Sequence, residues 1–347
     1  MKTNLFGLTL LQLKEVVSSL GLPAFTATQL ADWMYKKQVT SIASMTNLSK
    51  QTREKLESKY CIGMTEPSKV QTSTDGTKKY LYPTQIQKFI ESAYIPDDDR
   101  ATLCVSTQIG CKMGCLFCMT GKQGFQGNLT TGEIINQVQS LPEFEKLTNI
   151  VYMGMGEPMD NVEAVLNSIE IMTSPWGYDW SPKRITVSTI GIIPAMNTFL
   201  ERSQAHLAVS LHSPFDDERR EIMPIQNVYP ITQVISEIRR WQLGRQRRVS
   251  FEYIMFKGVN DTPRHANELV RLLHGIKCRV NLIRFHAIPD TPLEGTSEAG
   301  IVSFQNLLKA KGLIVTVRAS RGEDIFAACG LLSTKELIKR QQLKSDF

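Results

Sequence analysis

With 347 residues, 42% of them apolar and 21% charged, the chain has the make-up of a folded globular protein, large enough for one main domain and a smaller one. No apolar run reaches membrane-spanning length, and residues 1–7 lack the apolar stretch of a secretory signal, so a cytoplasmic protein with no membrane partner is expected. The net charge of +6 is uneven: residues 1–90 carry 12 Lys and Arg against 6 Asp and Glu, and the rest of the chain carries 28 against 28. A basic segment beside a neutral one suits a protein that holds a polyanion with one part and acts on it with the other, although a solvated lysine-rich surface has the same signature.

Leu10, Leu13, Val16, Val17 and Leu20 recur at helical spacing and Gly21 and Pro23 end the run, which predicts a helix over 8–20. Thr26-Ala-Thr-Gln29 has the form of a capping box. It predicts a second helix with Leu30, Trp33 and Met34 on its buried stripe and Lys36 and Lys37 in its last turn. Residues 50–59 read as a third, charge-rich helix, and the alternation over 70–95 around Asp75-Gly76 reads as a hairpin. From 101 onward, short β-branched runs near 102–107, 148–153, 184–189, 206–211, 249–255, 279–285 and 313–318 read as strands. They alternate with amphipathic helices near 131–141, 162–174, 191–201, 230–242, 263–275 and 302–311. Six or seven parallel strands fit an open, partial (β/α) barrel, in which chemistry sits at the C-terminal ends of the strands. The expected organisation is a small, basic, helical N-terminal accessory domain with its linker over 1–95 and an α/β core over 96–340.

Four of the seven cysteines fall within fifteen residues, Cys104-Val-Ser-Thr-Gln-Ile-Gly-Cys111-Lys-Met-Gly-Cys115-Leu-Phe-Cys118. The spacing C-x3-C-x2-C of Cys111, Cys115 and Cys118 lets three thiolates converge on one face of a compact loop, with Gly110 and Gly114 where the backbone must turn. A cubane iron-sulfur cluster usually takes four thiolates, so three leave one iron open to a ligand that is not protein. An odd cysteine count without a signal peptide disfavours a disulfide framework, and a structural zinc site lacks its second pair of ligands. In Met153-Gly-Met-Gly156-Glu157-Pro158, glycines bring backbone close to a ligand and Glu157 can accept from an ammonium group. Ser188 ends the third core strand, and Ser210-Leu211-His212 ends the fourth. Their hydroxyl and imidazole groups can bond the ribose or carboxylate of a cofactor, or simply be satisfied at a barrel rim. His206, His265 and His274 read as structural. Cys329 lies in the small-residue setting of an exposed loop, and with Cys104 it offers a nucleophile and a resolving thiol.

Through these segments, and through Tyr94-Ile-Pro-Asp-Asp-Asp-Arg-Ala-Thr-Leu-Cys104, Gly121-Lys-Gln-Gly124, Ser188-Thr-Ile-Gly191, Ser210-Leu-His-Ser213, Gly258-Val-Asn-Asp261 and Ala327-Ala-Cys-Gly330, the chain resembles the RlmN/Cfr family of radical SAM RNA methyltransferases over about residues 80–335. The resemblance implies a radical SAM partial (β/α)6-type barrel and a 4Fe-4S cluster on Cys111, Cys115 and Cys118. It implies S-adenosylmethionine contacts at Gly156, Glu157, Ser188, Ser210, Leu211 and His212. His286 stands where close relatives carry an Asn that contacts the same cofactor. By the same resemblance Cys329 first accepts a methyl group, Cys104 resolves the adduct and Glu91 accepts a proton.

The reaction so implied is methylation of adenosine at carbon 2, an electron-poor position without an acidic proton, which therefore needs radical chemistry. One S-adenosylmethionine methylates Cys329, and a second is cleaved to abstract hydrogen from that methyl group. The resulting radical adds to the ring, Glu91 removes the ring proton and Cys104 attacks Cys329 to free the product. The 94–104 segment matches the carbon 2 members better than the carbon 8 members. Expected partners are 23S rRNA at its peptidyl transferase centre, tRNA at the adenosine 3′ of the anticodon, and an electron donor such as flavodoxin or ferredoxin, with the protein acting as a monomer. The rival readings are an adenosine C8 methyltransferase of the antibiotic-resistance type and a non-enzymatic zinc-containing RNA-binding protein.

Overall fold

The computed structural model describes residues 2–241, 243 and 247–334, so the last residue of the helix expected near 230–242 and the end of the expected core, 335–340, lie outside them. Helix α1 (Leu10–Ser19) opens on a reciprocal capping box, Thr9 Oγ1 accepting the Gln12 N–H at 3.4 Å and Gln12 Oε1 accepting the Thr9 N–H at 2.8 Å. Helix α2 (Thr26–Ala31) continues without a break into a π turn over Asp32–Lys36. The capping box expected at Thr26 and Gln29 does not form. Phe25 is already helical and the Thr26 N–H bonds to the Pro23 carbonyl at 2.9 Å, which turns the Thr26 side chain inward. Leu30 and Met34 are buried as their spacing predicts. Helix α3 (Lys50–Lys59) buries only Leu56 and presents its charges to solvent.

Ten strands form the main sheet. They are β1 (Lys69–Thr72), β2 (Lys78–Pro83), β3 (Phe89–Pro96), β4 (Ala101–Cys104), β5 (Asn149–Tyr152), β6 (Ile185–Thr189), β7 (His206–Ser210), β8 (Val249–Met255), β9 (Cys278–Arg284) and β10 (Val315–Val317), side by side in that order. Strands β4 to β10 are all parallel, seven in number, and the sheet is open rather than closed. Their ends differ from the expected ones by up to three residues. The expected single hairpin over 70–95 is instead three antiparallel strands, and β3 pairs with β4, placing Ala93 opposite Cys104. The sheet therefore runs straight across the expected boundary at 95/96: an unpaired edge on β4 would expose a row of backbone donors and acceptors, and the hairpin covers it.

Alternation along the parallel strands separates two faces. Ile150, Tyr152, Val187, Leu207, Phe251 and Leu282 are buried on the side of the core shared with the helices. The residues between them, including Asn149, Thr186, Glu252, Asn281, Thr316 and Arg318, line a cavity of about 660 Å³ that runs along the strands. Among the described residues no helix is long and apolar enough to cross a membrane.

Candidate active site

The cysteine loop crosses the C-terminal end of the parallel strands. Gly110 (φ +72°) must be glycine, because a Cβ there would lie 1.7 Å from the Gly124 carbonyl oxygen. Cys115 and Cys118 share a turn, the Cys118 N–H bonding to the Cys115 carbonyl at 3.2 Å, and Cys118 then leads into the short helix Met119–Gln123. The three thiols are close enough to act on one another. Burial pushes Cys111 up to about 12 and Cys115 well above the usual thiol range, and for both the neighbouring thiols of the trio push further the same way. A site that holds its thiols protonated by burial and mutual repulsion is one that a cationic metal centre would discharge, since a coordinating thiol is deprotonated outright. The donor set therefore fits an iron-sulfur cluster held by Cys111, Cys115 and Cys118. Among the described residues no group of three His, Cys, Asp or Glu side chains is already drawn together as it would be around a single metal ion.

Glu157 departs from the sequence expectation. It is almost fully buried, and its carboxylate accepts from Thr189 Oγ1 at 2.6 Å, the Met159 N–H at 3.1 Å and the Ile190 N–H at 3.1 Å. Burial raises its pKa to about 7 against these donors. The carboxylate thus straps the glycine loop to the end of β6, and Gly156 (φ +99°) packs against Gln108, which a Cβ would meet at 2.5 Å, while Gly154 of the same loop lines the cavity. Ser188 is half-buried near the end of β6, and Ser210 ends β7. Leu211 is fully buried, and its N–H and carbonyl bond Glu252 and Arg219. His212 sits in the left-handed region (φ +57°), its Nδ1 accepts from the Ile254 N–H at 3.0 Å, and its ring meets Phe117 of the cysteine loop edge-on at 4.7 Å. Burial, reinforced by Arg219, lowers its pKa to about 3, so it is a neutral group here.

Arg219 had no sequence signal. In Asp216-Asp-Glu-Arg219-Arg220 it reads as one more charge on a solvated helix, yet it is fully buried and donates to the carbonyls of Ile190, Ser210 and Leu211 and to Gln226 Oε1. It ties the ends of β6 and β7 together beneath the cysteine loop.

The segment carrying Cys329 is laid over that loop from the other side. The Met119 N–H bonds to the Gly330 carbonyl at 2.8 Å, Thr120 Oγ1 donates to the Leu332 carbonyl at 2.6 Å, and Gln123 Oε1 accepts from Ser333 Oγ and the Thr334 N–H. Cys329 is exposed and Cys104 buried; both line the cavity, as do Cys118 and Gly154. Ala327 packs with Cys104 and Ala93. Burial raises the Cys104 thiol to about 12, the Cys329 thiol adds to this, and Arg318 works against it. Arg318 is itself paired with Glu252 at 3.4 Å, and Glu252 accepts from Ser250 and Asn281.

Two predicted residues sit differently from expectation. Glu91 points to the same side of the sheet as Cys104 but does not line the cavity; its Oε1 is 3.2 Å from Lys79 Nζ and its Oε2 accepts the Ser333 N–H at 3.0 Å. His286 lines the cavity, but its ring nitrogens face Glu323 (3.3 Å) and Ser320 (3.2 Å), which couple it to the Cys329 segment.

Comparison with known proteins agrees with this layout. A model of the ribosomal RNA large subunit methyltransferase N-terminal domain matches residues 3–62, and one of the radical SAM superfamily matches 105–272. A probable dual-specificity RNA methyltransferase RlmN from Parabacteroides distasonis is 58% identical over 96% of this chain and 97% of its own length. A dual-specificity RNA methyltransferase RlmN from Syntrophus aciditrophicus is 42% identical over 97% and 98%. The crystal structure of a radical SAM methyltransferase from Sphaerobacter thermophilus superposes with a TM-score of 0.88 at 40% identity, covering 95% of this chain and 99% of that one.

Proposed function

The chain belongs to the RlmN family of radical SAM RNA methyltransferases, which use a 4Fe-4S cluster and S-adenosylmethionine, and from that premise we propose that it methylates carbon 2 of an adenosine in 23S rRNA and in tRNA through an S-methylcysteine at Cys329. The observation that carries this reading is the meeting of Cys104 with the Cys329 segment on the wall of the cavity that Cys118 also lines.

Cys111, Cys115 and Cys118 would hold the cluster, which would supply the one-electron chemistry of the cycle: an electron for reductive cleavage of S-adenosylmethionine, and a place for the electron given up later by the ring adduct. By the family resemblance, Gly156, Ser188 and the Ser210–His212 segment, which follow or end β5, β6 and β7, would contact that donor. Neutral His212 cannot repel the sulfonium. Addition of the Cys329 thiomethylene radical to the ring gives an adduct radical that must lose one electron and one proton to become a closed-shell thioether, and Glu91, which in this structure faces Lys79 and the Ser333 N–H, is the proposed acceptor of the proton. The Cys104 thiolate then attacks the Cys329 sulfur: an S–S bond forms, the S–C bond breaks, and its electron pair leaves on carbon and is protonated to give the methyl group. The resulting disulfide needs two electrons from an external reductant before the next turnover. Arg318, the cation between the two thiols and Glu252, favours the Cys104 thiolate that this step consumes.

The test is mass spectrometry of nucleosides from 23S rRNA and bulk tRNA of a strain lacking the gene. Loss of 2-methyladenosine from both, restored by the wild-type chain, is the expected result. Loss of 8-methyladenosine instead would replace the carbon 2 reading with the carbon 8 one.

A further inference from the structure

Because strands β4 to β10 are parallel, their first residues all lie at one end of the cavity, opposite the cysteine loop. That end is ringed by cations in spatial order along the sheet. Arg100 precedes β4, Lys183 precedes β6, Arg248 precedes β8 and Arg279 is the second residue of β9, and all four line the cavity and are exposed. His206, the first residue of β7, sits among them, and burial together with Arg248, Arg247 and Lys183 lowers its pKa. Arg100 shares Asp97 with Arg321, at 3.9 and 3.0 Å. Lys183, Arg248 and Arg279 have no ion pair among the described residues. Arg247, by contrast, is spent on structure, donating to the carbonyls of Ala205 and Leu200.

Lys183, Arg248 and Arg279, three like charges at a cavity mouth with no ion pair among the described residues, repel one another, and a fold gains nothing from the arrangement unless an anion arrives. From Lys183 to Arg279 the ring spans three strand spacings, roughly 14 Å. That is wider than one phosphate and suits a chain of them. The helical N-terminal unit is basic as well, although two of its lysines are engaged within it: Lys37 is paired with Asp32 at 3.1 Å and lies over the Trp33 ring, and Lys50 is 3.9 Å from Glu54.

We propose that the RNA backbone docks on the strand-start rim of the cavity, with phosphates on Lys183, Arg248 and Arg279, and that the target base enters from this end to meet Cys329 from the side opposite the cluster. This rests on the reading of the chain as an RNA methyltransferase. Strands of five to seven residues, at about 3.3 Å each, make the cavity roughly 16–23 Å deep, so the adenosine must leave its stack and be threaded inward while its neighbours stay on the rim.

The experiment uses the reconstituted holoenzyme with unmodified tRNA and 23S rRNA transcripts. Lys183→Gln, Arg248→Gln and Arg279→Gln, singly and together, are compared with a triple change of Lys50, Lys55 and Lys59 to Gln on α3. Each rim substitution is expected to reduce the slope of log Kobs against log salt by about 0.7–1, and the rim triple to raise the KM for RNA at least tenfold with kcat changed far less. The swap Lys183→Arg, Arg248→Lys and Arg279→Lys keeps the point charges and restores the slope, which separates phosphate contact from misfolding. A rim triple with wild-type slope and KM, or loss confined to the α3 variant, overturns the proposal. Wild-type holoenzyme that methylates neither transcript sinks the functional reading itself.

Discussion

Lys79 and Glu91 form an ion pair of 3.2 Å in which each side chain is only 9% exposed, formed diagonally across β2 and β3 on the face that Cys104 also occupies. Lys79 Nζ also lies 3.5 Å from the Phe326 carbonyl, and Glu91 Oε2 takes the Ser333 N–H, so the pair anchors the segment that carries Cys329 at both ends. Further bonds from Ser73 Oγ to Asp324 (2.5 Å) and from the Gly322 N–H to Asp75 (2.8 Å) make the hairpin the seat of that segment.

Burial raises the pKa of Glu91 and Lys79 opposes it. Removing the ammonium in Lys79→Met leaves only the Ser333 N–H to oppose burial, so the carboxyl becomes harder to ionise and proton removal from the ring needs a higher pH. The pH–rate profile of adduct breakdown, followed by quench-flow and gel analysis of cross-linked RNA, shifts to higher pH in this variant. The unpaired carboxylate also costs about 3 kcal/mol of stability, measurable by urea unfolding. An unshifted profile would remove Glu91 from the proton-transfer step.

The two thiols make opposite failures. In Cys104→Ala the thioether to RNA forms but nothing attacks the Cys329 sulfur, so a covalent RNA–protein adduct accumulates under turnover. In Cys329→Ala no methyl carrier exists: methyl transfer is abolished, while 5′-deoxyadenosine is still released by reductive cleavage of S-adenosylmethionine. Free, methylated RNA from either variant would refute the assignment of that cysteine.

What was legible in the sequence was local. The C-x3-C-x2-C spacing, the glycine loop and the alternation of strands and helices depend on neighbours in the chain, and each appears where spacing placed it. What escaped depended on register. That Lys79 faces Glu91 follows from Leu81 lying opposite Glu91 across an antiparallel pair, which no spacing rule supplies. Arg219 was hidden because a buried arginine spending four donors on backbone and Gln226 has the same local sequence as a solvated one. Glu157 was placed in the correct loop, but its carboxylate turned inward because Thr189 and the Ile190 N–H, 32 and 33 residues away, offered donors within the fold.

The two glycines of the cysteine loop separate steric from conformational need. Gly110→Ala drives a Cβ to 1.7 Å from the Gly124 carbonyl at φ +72°, so the loop cannot close as it stands. Gly114→Ala, at φ +64°, meets only Pro224 at 3.9 Å and bears the left-handed penalty alone, about 1–2 kcal/mol. Iron and sulfide content after anaerobic reconstitution is therefore expected to collapse in the first variant and to stay near wild type in the second. Equal loss in both would mean that the close approach to Gly124 is not what shapes the loop.

His212 gives the fold a pH dependence of calculable sign. Its folded pKa lies near 3 and its unfolded value near 6.5, so between these limits the unfolded chain binds the extra proton and stability is lost as pH falls from 6.5 toward 3. The full window is worth roughly 5 kcal/mol at 1.36 kcal/mol per pKa unit. In His212→Asn the side-chain carbonyl can still accept the Ile254 N–H and the residue tolerates φ +57°, but nothing titrates. Its urea midpoint is thus expected to be lower than wild type at pH 7, because the ring packed on Phe117 is gone, and to fall less between pH 6.5 and 4. Carboxylates titrate in both proteins and cancel in the difference. Parallel stability curves for the two would mean that His212 titrates in the folded state as it does in the unfolded chain, so that below pH 6.5 a positive charge would stand beside the cysteine loop and against the sulfonium.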